Sequence, residues 1–324
     1  MITQTLFRAV TPARRTLSCA VILAAALAAC LPAAADTIVD AEGRRVEVTD
    51  RSRIVSIGGA VTEILFALGL ADQVIAVDTT STYPAAAQAK PDVGYMRALS
   101  SEGVLSLGPS LILAVKGSGP KDVVDVLATA SVPMVMIPDE PTAAGVGAKI
   151  RAVAAAAGVP EKGEELAKAV EADLKTVTDA VGKAGAQHSA AFVLSMANGA
   201  PLLAGDHTSA AGMFALAGLR NAFAFDGFKP ASPEAIVEAA PAIIVTMGRG
   251  GHDATDAIRQ NPAFATTPAV KDGRILAFDG AYLLNFGPRT AEAARELAMT
   301  VYPELAIPPL ARHPWTETAA AAKP

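Results

Sequence analysis

The sequence predicts an α/β protein of two Rossmann-like lobes, each a central sheet flanked by helices, joined by a long α-helix. Three observations predict it. Short apolar strands alternate with helical segments in both halves of the chain. Between the halves runs an amphipathic helical pattern of roughly twenty residues. The halves also echo each other: Ser100, Glu102, Val104, Leu105, Pro109, Leu111, Ile112 and Leu113 match Ser232, Glu234, Ile236, Val237, Pro241, Ile243, Ile244 and Val245 at a constant offset of 132 positions. The Ser-x-Glu and proline placements carry that match, because apolar residues coincide easily.

A chain of 324 residues that is 52% hydrophobic has ample material for two cores. Its 27 Lys and Arg against 32 Asp and Glu exclude the basic footprint of a nucleic-acid binder. Residues 1–35 carry Arg14-Arg15, an apolar segment from Leu17 to Leu31 and then small residues, the pattern of an export signal and too short for a spanning helix. Two exits compete. Ala33-Ala34-Ala35 before Asp36 fits signal cleavage and is preferred, which makes the mature protein periplasmic; Leu27-Ala28-Ala29-Cys30 resembles a lipoprotein box, which would anchor it through Cys30. Both cysteines, Cys19 and Cys30, fall in this segment, so the mature body has no disulfide and no thiolate chemistry.

The N-terminal lobe is expected over residues 36–141. Thr37 to Thr49 alternates as a β-hairpin, Arg53 to Ile57 is a strand, and Thr62 to Leu68 is a helix stopped by Gly69. Gln73 to Asp78, Leu111 to Val115 and Pro133 to Ile137 are further strands, with a helix over Asp122 to Thr129. Residues 142–187 form the helical linker, broken at Gly158-Val159-Pro160. Its second half places Leu166, Val170, Leu174, Val177 and Val181 on one face and makes a rod of about 30 Å, a stiff joint between lobes. The C-terminal lobe, 188–307, resumes the alternation with Ala191 to Ser195, a glycine-bearing loop, a helix to Leu216, strands at Ile243 to Thr246 and Arg274 to Phe278, and a last helix over Thr290 to Val301. Residues 308–324 are Pro- and Ala-rich and expected to fray.

Chemistry concentrates in Val93 to Pro109, where Tyr95 and Arg97 occupy a loop just before a short helix opened by Ser100-Ser101-Glu102. A phenolate is a hard anion suited to ferric iron, and a neighbouring arginine would favour the phenolate or pair with a ligand carboxylate; a half-buried packing tyrosine is the competing reading. Glu102 and Glu234 hold equivalent places, either as helix-start carboxylates favoured by the dipole or as paired anions that grip basic sockets on a membrane partner. Arg249, in Gly248-Arg249-Gly250-Gly251, is a candidate cleft-edge cation or a solvated loop residue. The histidines His188, His207, His252 and His313 show no zinc spacing, and no nucleophile elbow or dinucleotide motif is present.

From about Arg53 to Leu305 the chain resembles the periplasmic haem-binding proteins of bacterial haem ABC importers, within the helical-backbone substrate-binding proteins that also include cobalamin and siderophore binders. The carriers are Ser56-Ile57-Gly58-Gly59 with Thr62-Glu63-Ile64, Asp78-Thr79-Thr80-Ser81 with Tyr83-Pro84, and Val93-Gly94-Tyr95-Met96-Arg97-Ala98-Leu99-Ser100. The resemblance implies a monomeric, non-enzymatic carrier of haem (hemin), with Tyr95 the axial ligand to haem iron, Arg97 its partner or a propionate contact, and Arg249 a second-lobe cation. It implies that Glu102 and Glu234 dock on the inner-membrane permease dimer, with an outer-membrane haem receptor system upstream. Some relatives stack two haems with a second-lobe histidine; this chain has Met196, Ala197 and Asn198 near that loop. The alternatives are a cobalamin or ferric-siderophore binder in the same cleft, or, in another class, a periplasmic metallochaperone or enzyme.

Overall fold

The computed structural model describes residues 36–185, 187–197, 200–248 and 254–316. In chain order the first lobe contains β1 (Asp36–Val39), β2 (Arg45–Val48), β3 (Ile54–Ile57), α1 (Gly59–Ala67), β4 (Val74–Val77), α2 (Ser101–Leu105), β5 (Leu111–Val115), α3 (Lys121–Thr129) and β6 (Met134–Ile137). Strands β1 and β2 pair as the expected hairpin. The main sheet has the order β4-β3-β5-β6 and is parallel throughout, with Ile54 opposite Leu111 and Ile112 opposite Met134. Strands β3, β5 and β6 are buried at every residue, as expected where helices cover both faces of a parallel sheet. The order reverses between β3 and β5, which makes the carboxyl ends of these two strands the switch point at which open α/β sheets bind ligands.

Two helices follow, α4 (Ala143–Ala156) and α5 (Pro160–Val181). Gly158, at φ 76°, ends the first, and Pro160 starts the second at a position where its missing N–H costs nothing. At 22 residues α5 is about 33 Å long and buries Leu166, Val170, Leu174, Val177 and Val181, the stripe expected from spacing. Helix α4 packs on α1 of the first lobe, α5 packs on the second lobe, and the two pack on each other. The joint is thus a helical hairpin rather than one rod. Arg151 bridges across it to Glu164 at 2.6 Å and Glu171 at 2.5 Å.

The second lobe contains β7 (Ser189–Ala197), β8 (Ala200–Ala204), α6 (Ser209–Leu216), β9 (Arg220–Asn221), β10 (Phe228–Pro230), α7 (Pro233–Ala239), β11 (Ile243–Met247), α8 (Thr255–Gln260), α9 (Pro262–Ala265), α10 (Pro268–Lys271), β12 (Ile275–Phe278), α11 (Gly280–Leu284) and α12 (Thr290–Val301). Its sheet runs β10-β8-β7-β11-β12, with β9 also on β7. The core strands β7, β11 and β12 are parallel, but β8 and β10 add antiparallel, so part of the stretch expected to be a glycine-bearing loop is a strand. The 132-residue echo holds in three dimensions. Ser100 caps α2 through the Gly103 N–H at 3.2 Å, Ser232 caps α7 through the Ala235 N–H at 3.3 Å, and each helix leads into a central parallel strand, β5 or β11.

Past Pro308 the described residues, up to Thr316, make contacts with the rest of the chain. The Tyr83 hydroxyl donates to the Trp315 carbonyl at 2.6 Å, His313 lies 2.8 Å from Asp173, and the His313 and Trp315 rings stack at 4.3 Å. A cavity of about 560 Å³ lies between this segment and α12, and Tyr95 is not among the residues that line it.

Candidate functional site

The residues that carry the family resemblance separate into two groups. The larger group builds the carboxyl edge of the first-lobe sheet and its joint with the second lobe. Asp78, 1% exposed, accepts from the Gly58 N–H at 2.8 Å and the Ser81 hydroxyl at 2.9 Å through one oxygen, and from the Thr80 N–H and hydroxyl at 3.0 and 2.7 Å through the other. Thr62 bridges the Ser56 and Ser81 hydroxyls at 2.7 Å each. Such a fully satisfied buried network fixes the strand ends in one arrangement. A Cβ at Gly59 would collide with Asn285 of the second lobe and the Thr80 carbonyl, so only glycine admits this approach.

Sequence reasoning missed the charged members of this joint. Glu63 on α1 receives Arg289, the residue before α12, in a bidentate pair at 3.0 and 3.1 Å, and the guanidinium lies 3.5 Å from the Tyr83 ring centre. Lys149, fully buried on α4, donates to Asp139 at 2.6 Å and to the Asn285 and Phe286 carbonyls at 3.1 and 3.2 Å. A signal existed for both: each is a lone charge in an apolar run, Val61 to Leu68 or Val146 to Val153 apart from Arg151.

The smaller group is the Tyr95 turn. It leaves the end of β4, where the Val93 N–H donates to Val77 at 2.9 Å and the Thr79 N–H to Gly94 at 3.1 Å. Gly94 turns the chain at φ 90°, a conformation costly for other residues, with its N–H held by Asp92 at 2.7 Å. On the far side Gly119, just beyond β5, exchanges backbone bonds with Met96 at 2.9 Å and Leu99 at 3.0 Å. Met96 and Leu99 insert into the core at 7% and 5% exposure. The turn is therefore pinned at both ends while the Tyr95 side chain stays out, 44% exposed.

Arg97 Nη1 donates to the Tyr95 phenol oxygen at 2.7 Å, with the guanidinium 5.9 Å from the ring centre. Of the two expected roles for Arg97, this geometry is that of a phenol partner. A phenol oxygen is a hard donor of the kind that suits ferric iron. Glu102 and Glu234 are both exposed in the first turns of α2 and α7, behind their serine caps. The Glu234 carboxyl is held below the usual carboxylate range by its own backbone N–H and the Ser232 hydroxyl. Arg249, His252 and Cys30 lie outside the described residues, as does Asn198. His207 is exposed and paired with Asp226 at 2.9 Å, and His188 stacks on Tyr302.

The sequence profile of a family described as periplasmic binding protein matches residues 54–282. Among solved structures, the periplasmic heme-binding protein BhuT in complex with two hemes is 37% identical, covering 78% of this chain and 99% of its own, with a TM-score of 0.74. Among curated sequences, the ABC transporter substrate-binding lipoprotein YvrC of Bacillus subtilis, whose function is uncharacterized, is 29% identical over 273 residues, 83% of this chain and 86% of its own. The vitamin B12-binding protein of Pectobacterium atrosepticum is 28% identical over 254 residues, 76% of this chain and 86% of its own.

Proposed function

The chain belongs to the periplasmic binding protein family, and on that premise we propose that it binds haem on the carboxyl edge of its first lobe and delivers it to an ABC importer of the inner membrane. The observation that carries the reading is the Arg97 to Tyr95 hydrogen bond, 2.7 Å long, on an exposed turn whose backbone is fixed from both sides. Tyr95 is the proposed axial ligand to ferric haem iron through its phenol oxygen, with Arg97 the hydrogen-bond partner that orients it. Arg249 is the proposed second-lobe cation. The likeness to a heme-binding structure at 37% identity supports haem as the cargo.

Delivery needs a second surface. Glu102 and Glu234, exposed and related by the internal repeat, are the proposed docking carboxylates, one per lobe, for a dimeric permease with paired basic sockets. The protein acts as a monomer downstream of an outer-membrane haem receptor and performs no chemical step on its cargo. It is exported and works free in the periplasm after cleavage before Asp36; acylation at Cys30 is the competing form, and the mass of the mature protein distinguishes the two. Residues 36–141 and 188–307 are the proposed ligand-bearing lobes, with 142–187 the linker between them.

The experiment is a haem titration followed by Soret absorbance with cobalamin and a ferric siderophore as competitors. Haem saturates with a high-spin ferric tyrosinate spectrum and neither competitor displaces it. Displacement by cobalamin would favour the reading suggested by the vitamin B12-binding relative.

A further inference from the structure

We infer that Lys116 is a further first-lobe ligand contact, a cation that receives a carboxylate which Arg97 is not free to take. The inference rests on the haem-carrier reading above. Haem brings two propionates beside the plane that carries its iron, so a site that holds the iron on Tyr95 also meets negative charge along the same sheet edge. Arg97 is committed to the phenol oxygen at 2.7 Å.

The other lysines of this lobe and that of α4 are occupied. Lys90 donates to the Ala71 carbonyl at 2.9 Å, Lys121 pairs with Asp125 at 2.6 Å, and Lys149 is sealed in the lobe joint with Asp139. Lys116 is exposed, and among the described residues its ammonium has no hydrogen-bond or ion-pair partner.

Its place in the fold is fixed and close to the turn that bears Tyr95. It is the first residue past β5, at the carboxyl edge of the sheet, and its backbone N–H donates to Ile137 at 2.8 Å. Three residues on, Gly119 makes the two backbone bonds that hold Met96 and Leu99, and a Cβ built there would lie 3.9 Å from the Arg97 carbonyl. The segment carrying Lys116 and the turn carrying Tyr95 are thus hydrogen-bonded neighbours leaving one edge. A flexible stem with three donors suits a carboxylate whose position is set by the iron rather than by a planar fork.

The test compares haem with its dimethyl ester, which keeps the iron and removes both carboxylates, on the wild type, Lys116→Gln and Lys116→Arg. Lys116→Gln is expected to release haem about two- to fivefold faster at low salt, the range of an exposed ion pair, with Lys116→Arg restoring retention and high salt erasing the difference. The ester is expected to leave wild type and Lys116→Gln at equal rates. An equal effect of Lys116→Gln on haem and ester, or no effect on haem, overturns the assignment. Tyr95→Phe run in parallel separates the two layers: a tyrosinate spectrum lost in Tyr95→Phe with no ester-dependent effect at Lys116 overturns this inference alone, whereas a wild type without that spectrum overturns both.

Discussion

Arg289 and Glu63 meet as a buried bidentate ion pair between the two lobes, their side chains 9% and 3% exposed. Burial works against the charge on the guanidinium, yet Glu63 outweighs it and holds the Arg289 pKa above its usual value. Removing one partner leaves an uncompensated buried charge. Glu63→Gln is therefore expected to lose about 3–5 kcal/mol in urea unfolding, while the double change Glu63→Gln with Arg289→Met recovers much of it, because a neutral pair removes the desolvation cost as well. A double variant as unstable as the single one would assign the cost to packing.

Two carboxylates should tilt the pH dependence of stability in opposite directions. Burial pushes the Glu292 pKa above its ordinary 4.5, so its contribution is fully present below that value and is lost as pH rises through the folded pKa. Asp40 is also partly desolvated, but Arg44 and backbone donors prevail and lower it, so its contribution is present above its ordinary 3.8 and is lost as pH falls through the folded pKa. Relative to wild type, Glu292→Gln should gain stability as pH rises from acid to neutral. Asp40→Asn should cost most near neutrality and least in acid. Urea midpoints across about pH 3 to 7 measure both.

Gly94 sets the direction of the Tyr95 turn by conformation alone, since a Cβ there would meet no atom within 4 Å. Gly94→Ala is expected to cost about 1–2 kcal/mol of local strain at φ 90° and to weaken haem retention about tenfold, with a native far-UV spectrum. Unaltered haem release in this variant would show that the turn does not position Tyr95.

Glu102→Ala and Glu234→Ala should each lower the stimulation of importer ATPase in reconstituted vesicles, and the double variant should lower it further. Neither should change the haem spectrum, since both residues sit on helix starts apart from the Tyr95 turn. Full stimulation by the double variant would remove both from the docking surface.

Local patterns made much of the architecture legible. The all-buried strand Leu111–Val115, the α5 stripe and the repeated Ser-x-Glu starts are short-range signals, and each corresponds to an element of the structure. Strand β8 was not legible, because Ala200–Ala204 joins the sheet through pairing with β7 and β10 rather than through an alternating pattern of its own. The segment after Pro308 looked unstructured by composition, yet Trp315 meets Tyr83, 232 residues earlier. Glu63 and Lys149 were visible as charges in apolar runs, but their partners across the lobe joint, Arg289 and the Asn285 carbonyl, lie 226 and 136 residues away, and no local rule names them. Tyr95 and Arg97 stood out for the opposite reason, since donor and acceptor are two residues apart and the contact is local.

Absorbance during titration of ferric haem into the wild type and Tyr95→Phe tests the central claim most directly. The wild type should saturate with a high-spin tyrosinate spectrum and Tyr95→Phe should lose it while keeping a native fold, because only the phenol oxygen bonded to Arg97 at 2.7 Å is removed. An unchanged haem spectrum in Tyr95→Phe would contradict Tyr95 as the iron ligand.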